Sequence, residues 1–177
     1  MSKITGKERN IVQLGDPLLR RPSETVSDFN TLSLQQIIAD MQTTLAASNG
    51  VGIAAPQIGE SVRIVIVASR PNARYPKAPQ MEPVVMINPV YEVADPQRIK
   101  DWEGCLSIPG IRAQVPRYRA VRATYQNEAG QANTLLLNDF VARVFQHEYD
   151  HLKGMVYLDR VEDNRDIIAE SEYLKMF

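Results

Sequence analysis

Gln146-His147-Glu148-Tyr149-Asp150-His151 is the stretch around which the rest of the chain is organised. It carries the pattern H-E-x-x-H. Its surroundings read as a helix, with Phe140, Val141, Val144, Phe145 and Leu152 in an apolar arc that includes both histidines. Asn138 or Asp139 suits its start, and Gly154 its end. At about 100° per residue, His147 and His151 fall roughly 40° apart around the helix axis. Both side chains then reach one point in space, as two ligands of one metal ion must. Glu148 lies about 60° further round, off the ligand direction but within reach of a proton on a water at that metal. This is why the pattern marks metal-dependent hydrolysis. Two hydrogen-bonded core histidines would leave the same trace, so the reading depends on what else the chain holds. The chain has 2 His in all, and both are here.

Upstream, strand signals dominate. Residues 62–68 are β-branched and nearly all apolar, which predicts a strand buried on both faces. Further strands are expected over 84–87, 91–93, 99–102, 111–115, 120–125 and 134–137, the last two joined by a turn at 127–130. Asn88-Pro89 reads as a strand break. Residues 69–83, with Pro71, Pro76, Pro79 and Pro83, read as an exposed loop. One helix precedes the strands, over 33–48, with a Ser33/Gln36 capping box and a stripe of Leu34, Ile37, Ile38, Met41 and Leu45. Asn49-Gly50 is expected to stop it with a left-handed glycine. Residues 1–10 are expected to fray, 11–14 to be extended, and 20–32 to run irregularly over the surface. After the histidine helix come an expected strand at 155–158 and a final helix over 163–176. One helix, many strands, then helices points to an α+β fold in a single domain spanning 1–177.

Composition excludes several classes of function. The chain is 44% hydrophobic and 23% charged, with formal net charge −1. It therefore shows no electrostatic footprint for DNA or for a membrane surface. The polar residues 1–8 lack the apolar core of a secretory signal, and the run Ile64-Val65-Ile66-Val67-Ala68 is too short to span a bilayer. With Cys 1, no intramolecular disulfide can form. A reducing, cytoplasmic setting is expected, where a lone cysteine invites a ligand or nucleophile reading.

Two more stretches carry chemistry. Gly50-Val51-Gly52-Ile53-Ala54-Ala55-Pro56-Gln57 is a small-residue segment where backbone approaches something closely. It lacks the Lys-Ser/Thr ending of a phosphate-binding loop and follows a helix rather than a strand, so a nucleotide site is rejected. On local grounds a tight structural turn reads as well as a functional loop. Glu103-Gly104-Cys105-Leu106-Ser107 holds the lone cysteine. With Gln146–His151, these stretches resemble the motifs of the peptide deformylases: G-x-G-[IL]-A-A-P-Q, E-G-C-L-S and Q-H-E-x-D-H, in that order. The resemblance spans residues 11–160. Ile53 replaces the commoner leucine of the first motif.

That resemblance implies removal of the formyl group from the N-terminal formyl-methionine of nascent polypeptides. It also implies antiparallel sheets surrounding a central metal-binding helix, with an N-terminal and a C-terminal helix. Cys105, His147 and His151 would hold one divalent ion per chain, Fe²⁺ in the cell, with Zn²⁺, Ni²⁺ or Co²⁺ able to replace it. Glu148 would be the general acid–base. Gln57 and the Leu106 backbone N–H would be the oxyanion donors, and the Gly52 backbone would bind substrate. Val51, Leu106, Phe140 and Val144 are candidates for the methionine pocket, though each reads equally as ordinary core. The motif aspartate Asp150 would pair with Arg117, while Arg112 and Glu103 match positions that order the cysteine loop. The ribosome is implied as a transient partner. The acidic balance of 163–175 counts against docking through a basic C-terminal helix. A metalloprotease would need a downstream Glu or His as third ligand. A thiol hydrolase would work without metal, and a structural metal protein would need no Glu148.

Overall fold

The structure is a computed structural model, and it describes residues 4–176. Helix α1, Leu32–Ala47, is capped by Thr31, whose hydroxyl accepts from the Leu34 N–H at 3.1 Å. The expected Ser33/Gln36 box does not form. Gln36 instead donates to Thr5 O at 3.1 Å and to Asp40 Oδ1 at 2.8 Å. Nor is the helix stopped by a left-handed glycine: Ser48 ends it in extended backbone, with its hydroxyl bonded back to Leu45 O. The expected fraying at the N-terminus is also corrected over residues 6–9. The Lys7 N–H donates to Asp40, the Arg9 N–H donates to Thr44, and Arg9 pairs with Asp40 and Glu60. The expected fraying of residues 1–3 lies outside the described residues.

The strands are β1 (Gly52–Ala54), β2 (Ile64–Ser69), β3 (Met81–Cys105), β4 (Ile108–Gln126), β5 (Ala132–Asn138) and β6 (Ile167–Ala169). They form one antiparallel sheet in the order β1-β2-β3-β4-β5, with β6 also pairing β4. The expected plural sheets are thus one among the described residues. Residues 84–87, 91–93 and 99–102 join into the 25-residue β3, and 111–115 and 120–125 join into the 19-residue β4. Asn88-Pro89 does not break β3, because the register jumps between Ile87 and Val90. The N–H that proline lacks therefore falls inside a bulge. Asn88 takes φ +50, and its amide bonds Val26 and Gln126.

Alternation along β2 sends its side chains to two cores. Ile64 and Ile66 pack with Leu34, Ile38, Met41 and Leu45 of α1. Val65 and Val67 pack with Val144, Phe145 and Leu152 of the second helix, α2 (Asp139–Leu152). These four residues of β2 are 0% exposed, as the sequence predicts. Burying each such side chain stabilises by about 1.5–3 kcal/mol, so β2 anchors both helices to the sheet.

The C-terminal expectations fare less well. Residues 155–158 are not a strand; Tyr157–Arg160 is a 3-10 turn whose entry is fixed by Asp159 Oδ2 accepting from the Val156 N–H at 2.8 Å. The expected helix over 163–176 shrinks to α3, Glu170–Tyr173, flanked by short 3-10 turns. The reason is Ile167-Ile168: this β-branched pair takes the free edge of β4 at Ala113 and Arg112. No helix among the described residues is long and apolar enough to cross a membrane.

Candidate metal centre and catalytic cleft

Helix α2 starts at Asn138, whose side chain makes no capping bond, with Asp139 at φ +48. It ends in a Schellman motif: the Gly154 N–H reaches His151 O at 3.1 Å and the Met155 N–H reaches Asp150 O at 3.0 Å, with Gly154 at φ +71. Between these ends even the polar residues are buried, so each needs a partner. Gln146 finds one in the β4 backbone, accepting from the Tyr118 N–H at 3.0 Å and donating to Tyr118 O at 2.8 Å.

Cys105 is the last residue of β3, and Leu106-Ser107 form the tight turn into β4. This hairpin tip meets α2. His151 Nε2 lies 3.4 Å from Cys105 Sγ, and one ligand atom from each of Cys105, His147 and His151 lies within 4.8 Å of the other two. His147 Nδ1 is bonded to Glu103 Oε2 at 2.9 Å, which leaves its Nε2 for the cleft. Burial pushes the Cys105 thiol up, but the facing histidines outweigh it and favour the thiolate. A buried thiolate beside two imidazoles is the donor chemistry of a divalent cation.

Glu148 lines the same cleft at 4% exposure, and burial raises its pKa to about 7 against the pull of His147 and His151. Its Oε2 has no hydrogen-bond partner among the described residues. Gly52 explains how β1 comes so close. A Cβ there would stand 2.6 Å from Glu148 Oε1 and 2.9 Å from Val144 Cγ1. Gln57 is fixed at both ends of its amide: Oε1 accepts from the Ala54 N–H at 2.9 Å, while Nε2 donates to Ser107 Oγ at 3.2 Å and toward Cys105 Sγ at 3.4 Å. The extended residues 11–14 tie these parts together. The Val12 N–H donates to Gln57 O and the Leu14 N–H to Ser107 O.

Behind the cleft lies a buried charge network. Arg117 makes the expected bond to Asp150 at 2.6 Å and forks onto Glu103 at 2.8 and 3.0 Å. Burial pushes the Glu103 carboxyl up, but Arg117 and His147 outweigh it and hold it well below the usual carboxylate range. Arg143 was not foreseen here. It donates to Glu103 at 2.9 Å and to the carbonyls of Ile99 and Val115 at 2.6 and 2.7 Å, clamping α2 to β3 and β4. Arg112, fully buried, bonds Glu170 and the Tyr75 hydroxyl. It passes beneath Gly104, where a Cβ would meet its Nε at 2.8 Å.

Val51, Leu106, Phe140 and Val144 all line the cleft. So do Arg74, Tyr75 and Trp102, which the sequence reading missed. Trp102 adjoins Glu103, and that adjacency was a usable signal; Tyr75, inside a proline-rich loop, gave none.

Residues 8–166 match the model of the family described as polypeptide deformylase. The chain is 49% identical to peptide deformylase 2 of Nostoc sp. over 94% of its own length and 93% of that protein. It is 45% identical to peptide deformylase 1 of Nitrosomonas europaea, covering 88% of each. Among solved structures, the Met-Ala-Ser-bound class I type b peptide deformylase of Acinetobacter baumannii superposes with TM-score 0.85 at 39% identity, over 89% of this chain and 100% of that one. An actinonin complex of a Synechococcus elongatus peptide deformylase superposes with TM-score 0.78 at 32% identity, over 99% and 87%.

Proposed function

The chain belongs to the peptide deformylase family, and from that premise we propose that it is a metal-dependent hydrolase releasing formate from the formyl-methionine end of nascent polypeptides. The observation that carries the metal dependence is the buried convergence of Cys105, His147 and His151. These three would hold one divalent ion, Fe²⁺ in the cell, in a site that Zn²⁺, Ni²⁺ or Co²⁺ would also fit. The ion supplies Lewis acidity, which acidifies water and polarises a carbonyl oxygen.

The chain's own residues do the rest. Glu103 orients His147 through Nδ1. Glu148, buried in the cleft with its Oε2 unpartnered among the described residues, would take a proton from the attacking water and pass it to the departing amine. The Gln57 Nε2 and the Leu106 N–H receive the developing oxyanion, each donor being typically worth about 3–4 kcal/mol of barrier. Gly52 offers backbone to the substrate in a cleft that a side chain there would fill. Val51, Phe140 and Val144 take up the methionine side chain. A sheet that carries the first two motif stretches and packs against the helix bearing the third supports reading 1–177 as one catalytic domain, and a cytoplasmic enzyme is the reading that its lone cysteine favours. Any contact with the ribosome would not use a basic C-terminal helix, since α3 spans only Glu170–Tyr173.

Glu148→Ala tests the assignment. It should keep metal content near the wild-type level and lower kcat by at least about 100-fold. A variant with wild-type turnover would remove Glu148 from the chemistry.

A further inference from the structure

Three residues of the cleft, Arg74, Tyr75 and Trp102, come from outside both the motif stretches and α2. All three are part-buried, whereas Cys105, His147 and Glu148 are at most 9% exposed. The three therefore form a rim around the deeper triad. The Tyr75 ring lies 5.2 Å from that of Phe140, so the rim is largely aromatic. Its position is set from the far end of the chain. The Tyr75 hydroxyl accepts from Arg112 Nη1 at 3.0 Å, and Arg112 Nε and Nη2 donate to Glu170 at 3.1 and 2.8 Å. Arg74 pairs with the same Glu170 oxygen at 3.3 Å. The Arg112 guanidinium lies 5.2 Å from the Tyr75 ring and 4.8 Å from the Tyr173 ring. Trp102 packs edge-on against Tyr173 at 5.7 Å. Glu170 and Tyr173 are both in α3, which β6 attaches to β4 at Ile111, Arg112 and Ala113.

We propose that residues 167–173 are a specificity element: Glu170 and Tyr173 are positioning residues that fix Tyr75 and Trp102, and so set the aromatic rim that receives the first side chain of the formylated substrate. The inference rests on the deformylase reading above. A thioether gains from contact with aromatic rings, and rings already held in place cost less to order on binding, which is what a selective rim needs. A single buried arginine gives the coupling its reach. It touches the cysteine hairpin at Gly104, the rim at Tyr75 and the C-terminal segment at Glu170.

The test compares wild type, Glu170→Gln, Tyr173→Leu and Tyr173→Phe on formyl-Met-Ala-Ser and formyl-Ala-Ala-Ser, with metal content and melting temperature measured on each protein. In Glu170→Gln and Tyr173→Leu, KM for the methionine peptide should rise roughly 3- to 10-fold, the scale of one lost aromatic contact. The Met-over-Ala ratio of kcat/KM should narrow by the same factor, while kcat and metal content stay close to wild type. Tyr173→Phe, which keeps the ring, should keep the ratio. An unchanged ratio in both variants, even with a lowered melting temperature, would reduce the segment to a structural support and overturn the proposal. Lost kcat accompanied by lost metal would overturn it as well. If Tyr173→Leu does not fold, Glu170→Gln decides. Wild-type protein that releases no formate from either peptide would bring down the deformylase reading, and the proposal with it.

Discussion

Gly52→Ala asks how closely β1 must approach the histidine helix. The new methyl would stand 2.6 Å from Glu148 Oε1, 2.9 Å from Glu148 Cγ and 2.9 Å from Val144 Cγ1. Favourable contacts between carbons lie at about 3.5–4.0 Å, so the shortfall is roughly 0.6 Å or more. Little can yield. Gly52 is tied into the ladder opposite Val67, and Glu148 and Val144 are 4% and 5% exposed. The Glu148 carboxylate is the freest of these groups, so it swings out of place. Overpacking of this kind costs about 1–3 kcal/mol, which at about 2–4 °C per kcal/mol for a chain of this size lowers the melting temperature by roughly 2–12 °C. Displacing a general base costs about 10²- to 10⁴-fold in rate. Formate-release kinetics, metal content and melting on one preparation check the argument. The expected outcome is a kcat lowered at least about 100-fold with metal retained. A Gly52→Ala enzyme with wild-type kcat would refute the reasoning, as would a loss of rate explained wholly by lost metal.

Other substitutions probe the frame. Glu103→Gln leaves Arg117 and Arg143 short of a buried counter-charge and turns into an NH2 donor one of the two oxygens that accept from Arg117, Arg143 and His147. It should cost about 3–5 kcal/mol in stability and weaken metal binding about 10- to 100-fold, read by denaturant melts and competitive chelation. Gly154→Ala would force an alanine to φ +71 with its Cβ 2.7 Å from the Arg20 carbonyl. It should destabilise by more than about 1 kcal/mol without changing KM. Burial pushes the Asp40 carboxyl up, but bonds from the Lys7 N–H, Gln36 and Arg9 outweigh it and hold its pKa below the usual carboxylate value. A lowered folded pKa stabilises above the unfolded value near about 3.9, and that stability is lost as pH falls through the folded value. Asp40→Asn should therefore lower the neutral-pH melting temperature and shrink the gap to wild type in acid.

The legible parts of this chain were those whose signal is local. The H-E-x-x-H spacing fixes two side-chain directions on one helix turn, and the short, β-branched, apolar run at 64–67 favours a strand buried on both faces. What sequence alone misread was decided by distant partners. Asn88-Pro89 looks like a break until a bulge receives the proline and Val26 receives the asparagine. Residues 163–176 look helical until Ile167-Ile168 finds the open edge of β4. Thr31 outcompetes Ser33 as the cap of α1, a choice of two residues that periodicity does not resolve. Arg143 lies seven residues from Asp150 on the same helix, but its partners are carbonyls of β3 and β4 far away in sequence. Tyr75 and Trp102 become a rim only once the C-terminal segment has folded back over the sheet.

Formate release from a formyl-Met tripeptide by protein purified without oxygen, with metal content measured on the same sample, tests the central claim most directly. The account predicts release that is abolished by chelator, restored by Fe²⁺, and proportional to metal up to about one ion per chain, the stoichiometry set by a single three-ligand site. A folded, fully metallated protein that releases no formate would contradict it.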